Sequence, residues 1–571
     1  MTSSTSTTSS TTSFTSGQIN VTGLGNGTDF STLIDGLITA ESATKKRFES
    51  WKQEWELKIE GLQYLNKKLL ALKTTLGSID TVNEFLTKSV TSTSDSVSAT
   101  ATSDALEGSH TVIVGQLAQN DILTTGSGLS TLTSVVTSNA TNLTFSYAGQ
   151  SYTISNIGAG STLTSLVNYI NNNSATKDKV RATTLFDGTS YHLQLYGMDQ
   201  GAGNQVIVSN TGSLVFGAAS FQNTQQAQSA LIKVDGYPQG SGNWISRDTN
   251  SVEDVIPGVS LTLKEANSNA SIKIGITTNT DAIKENVKTF VDAVNEVRTA
   301  LQALTKVSNS SGTATGSIMT GNYGVQIIGT QLKDVITDLG LGFNIYNAAT
   351  GTGDYYSALS QIGISTDADE SSSTYGKLIL NEEDLDTALS KDAEGVAKLF
   401  SADYEGGTDS ANFSYLSRIN GTTKAGSYGV QIITSAAGIS SATINGQPAG
   451  IDGWKVTALS GDAAGMVIQV DNHTPNSTFT GNVNLRQGKA GQMVDKLKDL
   501  TNTTNGPISI LEDNYGEIID SIDDKIARET QRLTTMKARL KAQYARLDSL
   551  LNTLTNTQSQ LSSVINQLSK S

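Results

Sequence analysis

The residues best suited to proton transfer or metal ligation in this chain are its three histidines, His110, His192 and His473. They are far apart in sequence and form no HExxH or paired spacing, so local sequence alone builds no histidine metal face. Each reads as a strand or loop residue. Asp367-x-Asp369-Glu370 opens like a calcium loop, but the sixth place of that loop carries no Gly, and Leu378 stands where the bidentate Glu belongs. It reads as an acidic surface turn. Gly23-x-Gly25-x-Gly27 follows no strand and lacks the dinucleotide-binding spacing, so it reads as a turn ahead of a helix. Glu382-Glu383-Asp384 fits a helix start, where carboxylates complement the positive end of the helix dipole. The absence of Cys excludes disulfides, thiolate metal sites and cysteine nucleophiles. No catalytic, metal or cofactor constellation emerges, and the chain is expected not to be an enzyme.

Bulk properties narrow the partners. A net charge of −14 with no basic run argues against nucleic acid. No stretch reaches the roughly 20 apolar residues of a membrane span. Residues 1–16 are almost entirely Ser and Thr, without the basic and apolar regions of a cleaved secretory signal. Any export is expected to use a route that reads no such signal. With 571 residues, several domains are expected.

The most regular element lies at the end. Residues 517–571 contain no Gly and no Pro, and Ile519, Ile526, Leu533, Leu540, Leu547, Leu554, Leu561 and Leu568 recur every seven residues. A second row reads Ile522, Glu529, Met536, Gln543, Leu550, Thr557 and Val564. This is a heptad repeat on one long helix. At 1.5 Å per residue it would extend roughly 80 Å, so it needs a partner helix of similar length or neighbouring chains. Polar residues Glu529, Gln543 and Thr557 in the seam are expected to restrict register and partner number.

A matching pattern opens the chain. Asp29 or Ser31 could cap a helix with Phe30, Leu33, Ile34, Leu37 and Ile38 on one face, and apolar spacing of three and four continues from Phe48 through Trp51, Trp55, Leu62, Leu65, Leu69, Leu72 and Leu76 to Ile79. Between the two ends, period-two stretches such as His110-Thr-Val-Ile-Val114, Leu143-Thr-Phe-Ser-Tyr147 and Val259-Ser-Leu-Thr-Leu263 predict a β-rich region with a short helix around Leu163, Leu166 and Ile170. Helical spacing returns at residues 283–304, near 327–339 and over 385–400. Residues 308–316 read as a Ser/Gly/Thr linker, and 403–486 as a further β-rich insertion. Tyr323-Gly-Val-Gln-Ile-Ile328 and Tyr428-Gly-Val-Gln-Ile-Ile433 are identical, yet context predicts a helix for the first and a strand for the second.

Several of these stretches resemble the family of flagellar filament cap proteins (flagellar hook-associated protein 2). Gly23-Leu-Gly-Asn-Gly-Thr-Asp-Phe-Ser-Thr-Leu-Ile-Asp-Gly-Leu-Ile-Thr-Ala-Glu41 is similar to that family's opening motif. The region from Ser94-Asp-Ser-Val-Ser-Ala-Thr-Ala-Thr102 through His110-Thr-Val-Ile-Val-Gly-Gln-Leu-Ala-Gln119 follows its pattern almost throughout, and Thr162-Leu-Thr-Ser-Leu-Val-Asn-Tyr-Ile-Asn171 resembles a motif shared with flagellin variable regions. Ile232-Lys-Val-Asp-Gly236, Ile256-Pro-Gly-Val-Ser-Leu-Thr-Leu263 and Phe290-Val-Asp-Ala-Val-Asn295 resemble its C-terminal half. Where family members often carry a Pro after the first helix, this chain has Ser42-Ala-Thr44.

The resemblance implies a secreted structural protein at the distal tip of the bacterial flagellum. It would be exported unfolded, form a homo-oligomeric ring of about four to six subunits, and help flagellin fold and insert. Flagellin, hook–filament junction proteins and an export chaperone are the implied partners, with no cofactor, nucleic acid or membrane span. The implied fold is α+β and multidomain: terminal leg segments at 1–45 and 530–571, disordered until assembly, that form a coiled coil or helical bundle; a helical stalk at 46–90, 275–402 and 487–529; two β-rich head domains at 91–274, one inserted in the other; and an additional β-rich domain at 403–486. The expected partner-binding seams are Leu33, Ile34, Leu37, Ile38, Leu533, Leu540, Leu547, Leu554, Leu561 and Leu568. A flagellin or junction protein is disfavoured, because the nearest echo of an early flagellin motif, Ser417-Arg-Ile-Asn-Gly421, lies mid-chain. Tyr-, Asn- and Gly-rich loops leave a surface adhesin as the alternative of another class, and adhesion as a secondary role.

Overall fold

The fold is that of a computed structural model, which describes residues 30–310 and 313–569. The expected turn at 23–29, including Asp29 as a cap, lies outside the described residues. The helices are, in chain order, α1 (Ser31–Glu41), α2 (Ala43–Leu76), α3 (Val82–Phe85), α4 (Leu163–Asn172), α5 (Thr280–Thr305), α6 (Tyr323–Thr337), α7 (Glu382–Ser401), α8 (Lys489–Leu500) and α9 (Pro507–Leu568). Every strand ladder between them is antiparallel, as in Lys88–Ser92 against Asn267–Thr278, and the chain is α+β. It divides into two compact units.

The first unit comprises the described residues up to Thr74, Ala293–Asp334 and the chain from Asp495 onward. In α2 the residues Leu62, Leu65 and Leu69 are wholly buried, and Leu72 nearly so, which is the three-and-four spacing acting as one core face. Each such burial contributes about 1.5–3 kcal/mol. Helix α9 begins ten residues before the Gly- and Pro-free stretch. Pro507 fits its first turn, where no intrahelical N–H is needed. Close approach of α6 to α9 requires Gly324, since a Cβ there would lie 2.6 Å from Leu511 Cδ1. Phe30, not Ser31, occupies the N-cap of α1 and offers no side-chain cap. At the Pro-free junction, helical bonding continues through Ser42: its N–H donates to Ile38 and its carbonyl accepts from Lys46.

One linker expectation fails. Val307–Ser310 pairs with Thr313–Gly316 as a hairpin, because the Thr and Val of this segment suit a strand as well as a loop. The identical hexamers diverge as their contexts predict. At the start of α6, Val325 and Ile328 are buried while Tyr323 is exposed, a spacing of three. In the strand Gly426–Ser435, Tyr428, Val430 and Ile432 are all buried, a spacing of two.

The second unit, Thr75–Asp292 with Val335–Val494, holds three β cores. A five-stranded sheet containing Gly108–Gln116 and a three-stranded sheet containing Val97–Ala101 enclose Val97, Val114, Ile232, Leu261 and Ile274. Between them in sequence, a four-stranded and a three-stranded sheet with α4 enclose Phe145, Tyr147, Leu166, Leu195 and Phe216. An eight-stranded sheet spans Asp403–Thr408 to Thr478–Gln487, and its two end strands, Asp403–Thr408 and Phe413–Ser417, lie side by side around Phe413, Ile432, Val456 and Ile468. Lys489, fully buried, donates to the carbonyls of Val335 (2.7 Å) and Asp338 (2.8 Å) at the C-terminal end of α6. Burial pulls its pKa down to about 8.

Two buried tyrosines carry a pH prediction. Burial pushes both Tyr147 and Tyr428 up to about 12, while their hydroxyls donate to Asp199 (3.0 Å) and to the Lys424 carbonyl (2.8 Å). A folded pKa above the unfolded value of about 10 gives stability that is complete below pH 10 and lost as pH rises toward 12. Each tyrosine is expected to cost up to about 2 kcal/mol across that window. In urea melts at stepped pH, Tyr147→Phe should flatten the decline, and an unchanged slope would refute the assignment.

Candidate functional site: the terminal helices

The groups that could do chemistry are held in structural roles. His192 Nδ1 lies 2.6 Å from the Thr125 carbonyl, while Asp187 Oδ2 (3.0 Å) and Ser190 Oγ (3.1 Å) both approach Nε2. Carboxylate and hydroxyl on the same nitrogen cannot make a two-sided relay. The Thr125 carbonyl, then Asp187, raise the histidine pKa, and the backbone N–H groups of Ser190 and Thr189 hold Asp187 at about 2. His110 Nδ1 meets Asp235 at 2.7 Å. His473 stacks on Trp454 with centroids 4.0 Å apart. The carboxylate of Asp367 accepts from the Asp369 N–H and the Thr374 hydroxyl, and Asp369 accepts from Ser371, so this acidic turn is held by its own backbone. Among the described residues no His/Asp/Glu group is placed to hold a metal, and no helix is long and apolar enough to cross a membrane. A cleft of about 840 Å³ is lined in part by Lys88, Glu107 and Thr278, which bond to one another.

The paired chain ends present a larger organised surface. Helices α1 and α2 run antiparallel to α9. Phe30 stacks on Tyr544 with centroids 5.1 Å apart, Asp35 meets Lys537 at 2.7 Å, and Arg532 reaches Glu41 at 3.2 Å. Further along, Lys52 pairs with Asp523 at 2.7 Å, Lys525 sits 5.0 Å from the Trp51 ring, and Trp55 meets Tyr515 edge-on at 5.0 Å. Asn322 of the loop before α6 hydrogen-bonds the Tyr515 hydroxyl. These long side chains meet because their positions flank the apolar seam, where charges set pairing and direction.

The expected seam residues separate into two groups. Ile34 and Leu533 are buried, and Ile38 and Leu540 are half-buried. Leu33 and Leu37 on α1 are exposed. On α9 the exposure climbs from 44% at Leu547 through 57% at Leu554 and 61% at Leu561 to 70% at Leu568. The described intrachain partner therefore covers the seam as far as Tyr544, opposite Phe30; beside the seam Asp548 is still buried and Leu551 half-buried, and every described residue from Thr553 onward is exposed. Of the polar seam residues, Glu529 accepts from Arg532, while Gln543 and Thr557 lie exposed.

The apolar rows hid a second signal. Lys525, Arg532, Arg539 and Arg546 also recur every seven residues, each immediately before a seam Ile or Leu. Scanning the charged residues at heptad spacing finds this row, with Lys525 against Trp51 and Arg532 against Glu41.

Comparison with known proteins follows from this geometry. The model for the flagellar hook-associated protein 2 N-terminus matches residues 26–121, and the model for its C-terminus matches residues 227–556. An A-type flagellar hook-associated protein 2 of Pseudomonas aeruginosa is 28% identical over 416 residues, covering 67% of this chain and 80% of that protein. The flagellar hook-associated protein 2 of Escherichia coli K12 is 26% identical over 404 residues, covering 67% and 81%. The crystal structure of the D1-D2-D3 domains of the flagellar cap protein FliD from Escherichia coli aligns with a TM-score of 0.50 at 25% identity, covering 61% of this chain and 92% of that one. With the C-terminal model alone spanning more than half of its length, this chain belongs to the flagellar hook-associated protein 2 family.

Proposed function

We propose that this chain caps the distal end of a bacterial flagellar filament as a structural protein and catalyses no reaction. The supporting observation is the α9 seam, covered by α1 and α2 up to Tyr544 and exposed at Leu547, Leu554, Leu561 and Leu568. A leucine row at heptad spacing reaches full burial only against further helices, and the relatives are named as flagellar caps and hook-associated proteins. The chain is secreted through the flagellar export route, its copies form a ring, and the β-rich units face outward while flagellin folds and inserts beneath. Segments 1–45 and 530–571 are the legs, 46–90, 275–402 and 487–529 the stalk, and 91–274 and 403–486 the heads. The working partners are flagellin, the hook–filament junction proteins and an export chaperone.

Deletion of the gene tests this reading. Cells lacking the chain are expected to keep their hooks, release monomeric flagellin into the medium and carry absent or stunted filaments by electron microscopy. Full-length filaments on the deletant would refute capping.

A further inference from the structure

Charge along α9 is sorted into blocks. From Pro507 to Asp524 there are six acidic residues and no Lys or Arg, whereas from Lys525 to Arg546 there are seven Lys or Arg and only Glu529 of the opposite sign. Beyond Asp548 the helix carries no charge to its end at Leu568. The first block presents a stripe. Asp513, Glu517, Asp520 and Asp524, spaced by four, three and four residues, lie on one helix face and are exposed. Arg528 and Arg539 are exposed on the following block. None of these six forms an ion pair among the described residues. Arg532 pairs with Glu529 and Glu41 of its own chain and remains exposed.

Such an arrangement is complementary to itself in one direction only. Two copies of α9 side by side in parallel register set acid against acid and base against base, which costs free energy. A parallel pair shifted by one block satisfies one block and leaves the other without a partner. An antiparallel pair satisfies both at once through a two-fold axis, the same surface being used by each copy. With the axis beside Ile526, Asp524 faces Arg528, Asp520 faces Arg532 and Asp513 faces Arg539 of the second copy, each pair equidistant from the axis in sequence. We infer that α9 docks antiparallel on α9 of a second copy of this chain through these charge blocks. The bare leucines from Leu547 onward lie outside this contact, because their opposite numbers fall ahead of Pro507, where α9 begins. The docking is thus distinct from the seam that capping uses, and it is a state of the free chain.

Exposed positions make the test direct. A full-length chain carrying D513K/D524K presents Lys where Arg539 and Arg528 of a second copy would face it, and one carrying R528E/R539E presents Glu where Asp524 and Asp513 would face it. Each alone is expected to self-associate about tenfold more weakly or worse by sedimentation at low salt, and the two mixed are expected to regain the wild-type association. Wild-type association should also weaken as salt rises. Because the chain has no native Cys, the doubly substituted E517C/T535C chain reports direction: these sites face each other across the axis, so a short thiol cross-linker is expected to give a discrete dimer on a denaturing gel. A ladder of multimers would show a shifted parallel array, and no cross-linked species would show that α9 does not meet α9. Either result overturns the inference, as does wild-type association that neither charge variant weakens. Capping is judged separately by filament length in cells, so failure of this docking leaves that reading standing.

Discussion

Phe400→Ala is expected to lower the unfolding free energy of the unit that contains it by about 3–5 kcal/mol. Phe400 is wholly buried near the end of α7. Its ring stacks on Phe85 with centroids 5.0 Å apart and meets Phe290 edge-on at 5.1 Å, so truncation strips two aromatic contacts and opens a cavity between α3, α5 and α7. The surroundings cannot easily fill it. The backbone of Gly488 passes so close that a Cβ there would lie 2.2 Å from the Phe400 carbonyl carbon and oxygen, and the Gly488 N–H donates to Ala402 at 2.8 Å. Arg486, two residues earlier, is tied to Asp354 at 2.9 Å, and Lys489, one residue later, to the end of α6. The strand leaving the eight-stranded sheet is therefore pinned on both sides of the cavity, and relaxation is restricted. Denaturant melts followed by the fluorescence of Trp244 and Trp454, both in this unit, should show the loss, with Phe400→Leu costing a fraction of it. A Phe400→Ala loss below about 1 kcal/mol would mean that the site collapses freely, against this packing.

What was legible in the sequence is what depends on neighbours along the chain. The heptads of α9 and the apolar rows of α2 appear as helices because their spacing is local, and the paired hexamers could be told apart because the residues around them impose different periods. The start of α1 and the hairpin at Val307–Gly316 were missed for a related reason: Ser and Thr suit caps, loops and strands alike, and Phe30 takes the cap position while its ring stacks on Tyr544 far away in sequence. Sheet order could not be read at all, since Lys88–Ser92 pairs with Asn267–Thr278 across nearly two hundred residues. Lys489 looks like an ordinary surface lysine until the fold brings the carbonyls of Val335 and Asp338 to it. For the candidate site, the seam residues were visible individually, but which of them the chain covers itself was not. Ile34 and Leu554 belong to the same kind of row, and only the reach of α1 along α9 separates the buried one from the bare one.

That separation carries the last prediction. A chain ending at Thr553 is expected to melt within about 0.5 kcal/mol of the full chain and yet fail to restore filaments to a cap-deficient cell. The stability half follows from exposure: Leu554, Leu561 and Leu568 lie open, as does every described residue from Thr553 onward, so removing them takes little apolar surface out of contact. The functional half follows from the seam. A helix that runs beyond its described intrachain partner gains from burial only when another helix supplies the facing holes, and each leucine so buried contributes about 1.5–3 kcal/mol. Losing three would weaken docking by several orders of magnitude. Substituting Leu554, Leu561 and Leu568 by Ser in the full-length chain separates seam from length, since it keeps the helix long and removes only its apolar row. Export is checked by assaying the variant in the medium of cells retaining the hook, because a chain that is not secreted cannot report on capping. If a secreted Ser variant supports filaments of wild-type length, the exposed leucines are not the docking surface, and the surface of α1 bearing Leu33 and Leu37 becomes the one to vary next.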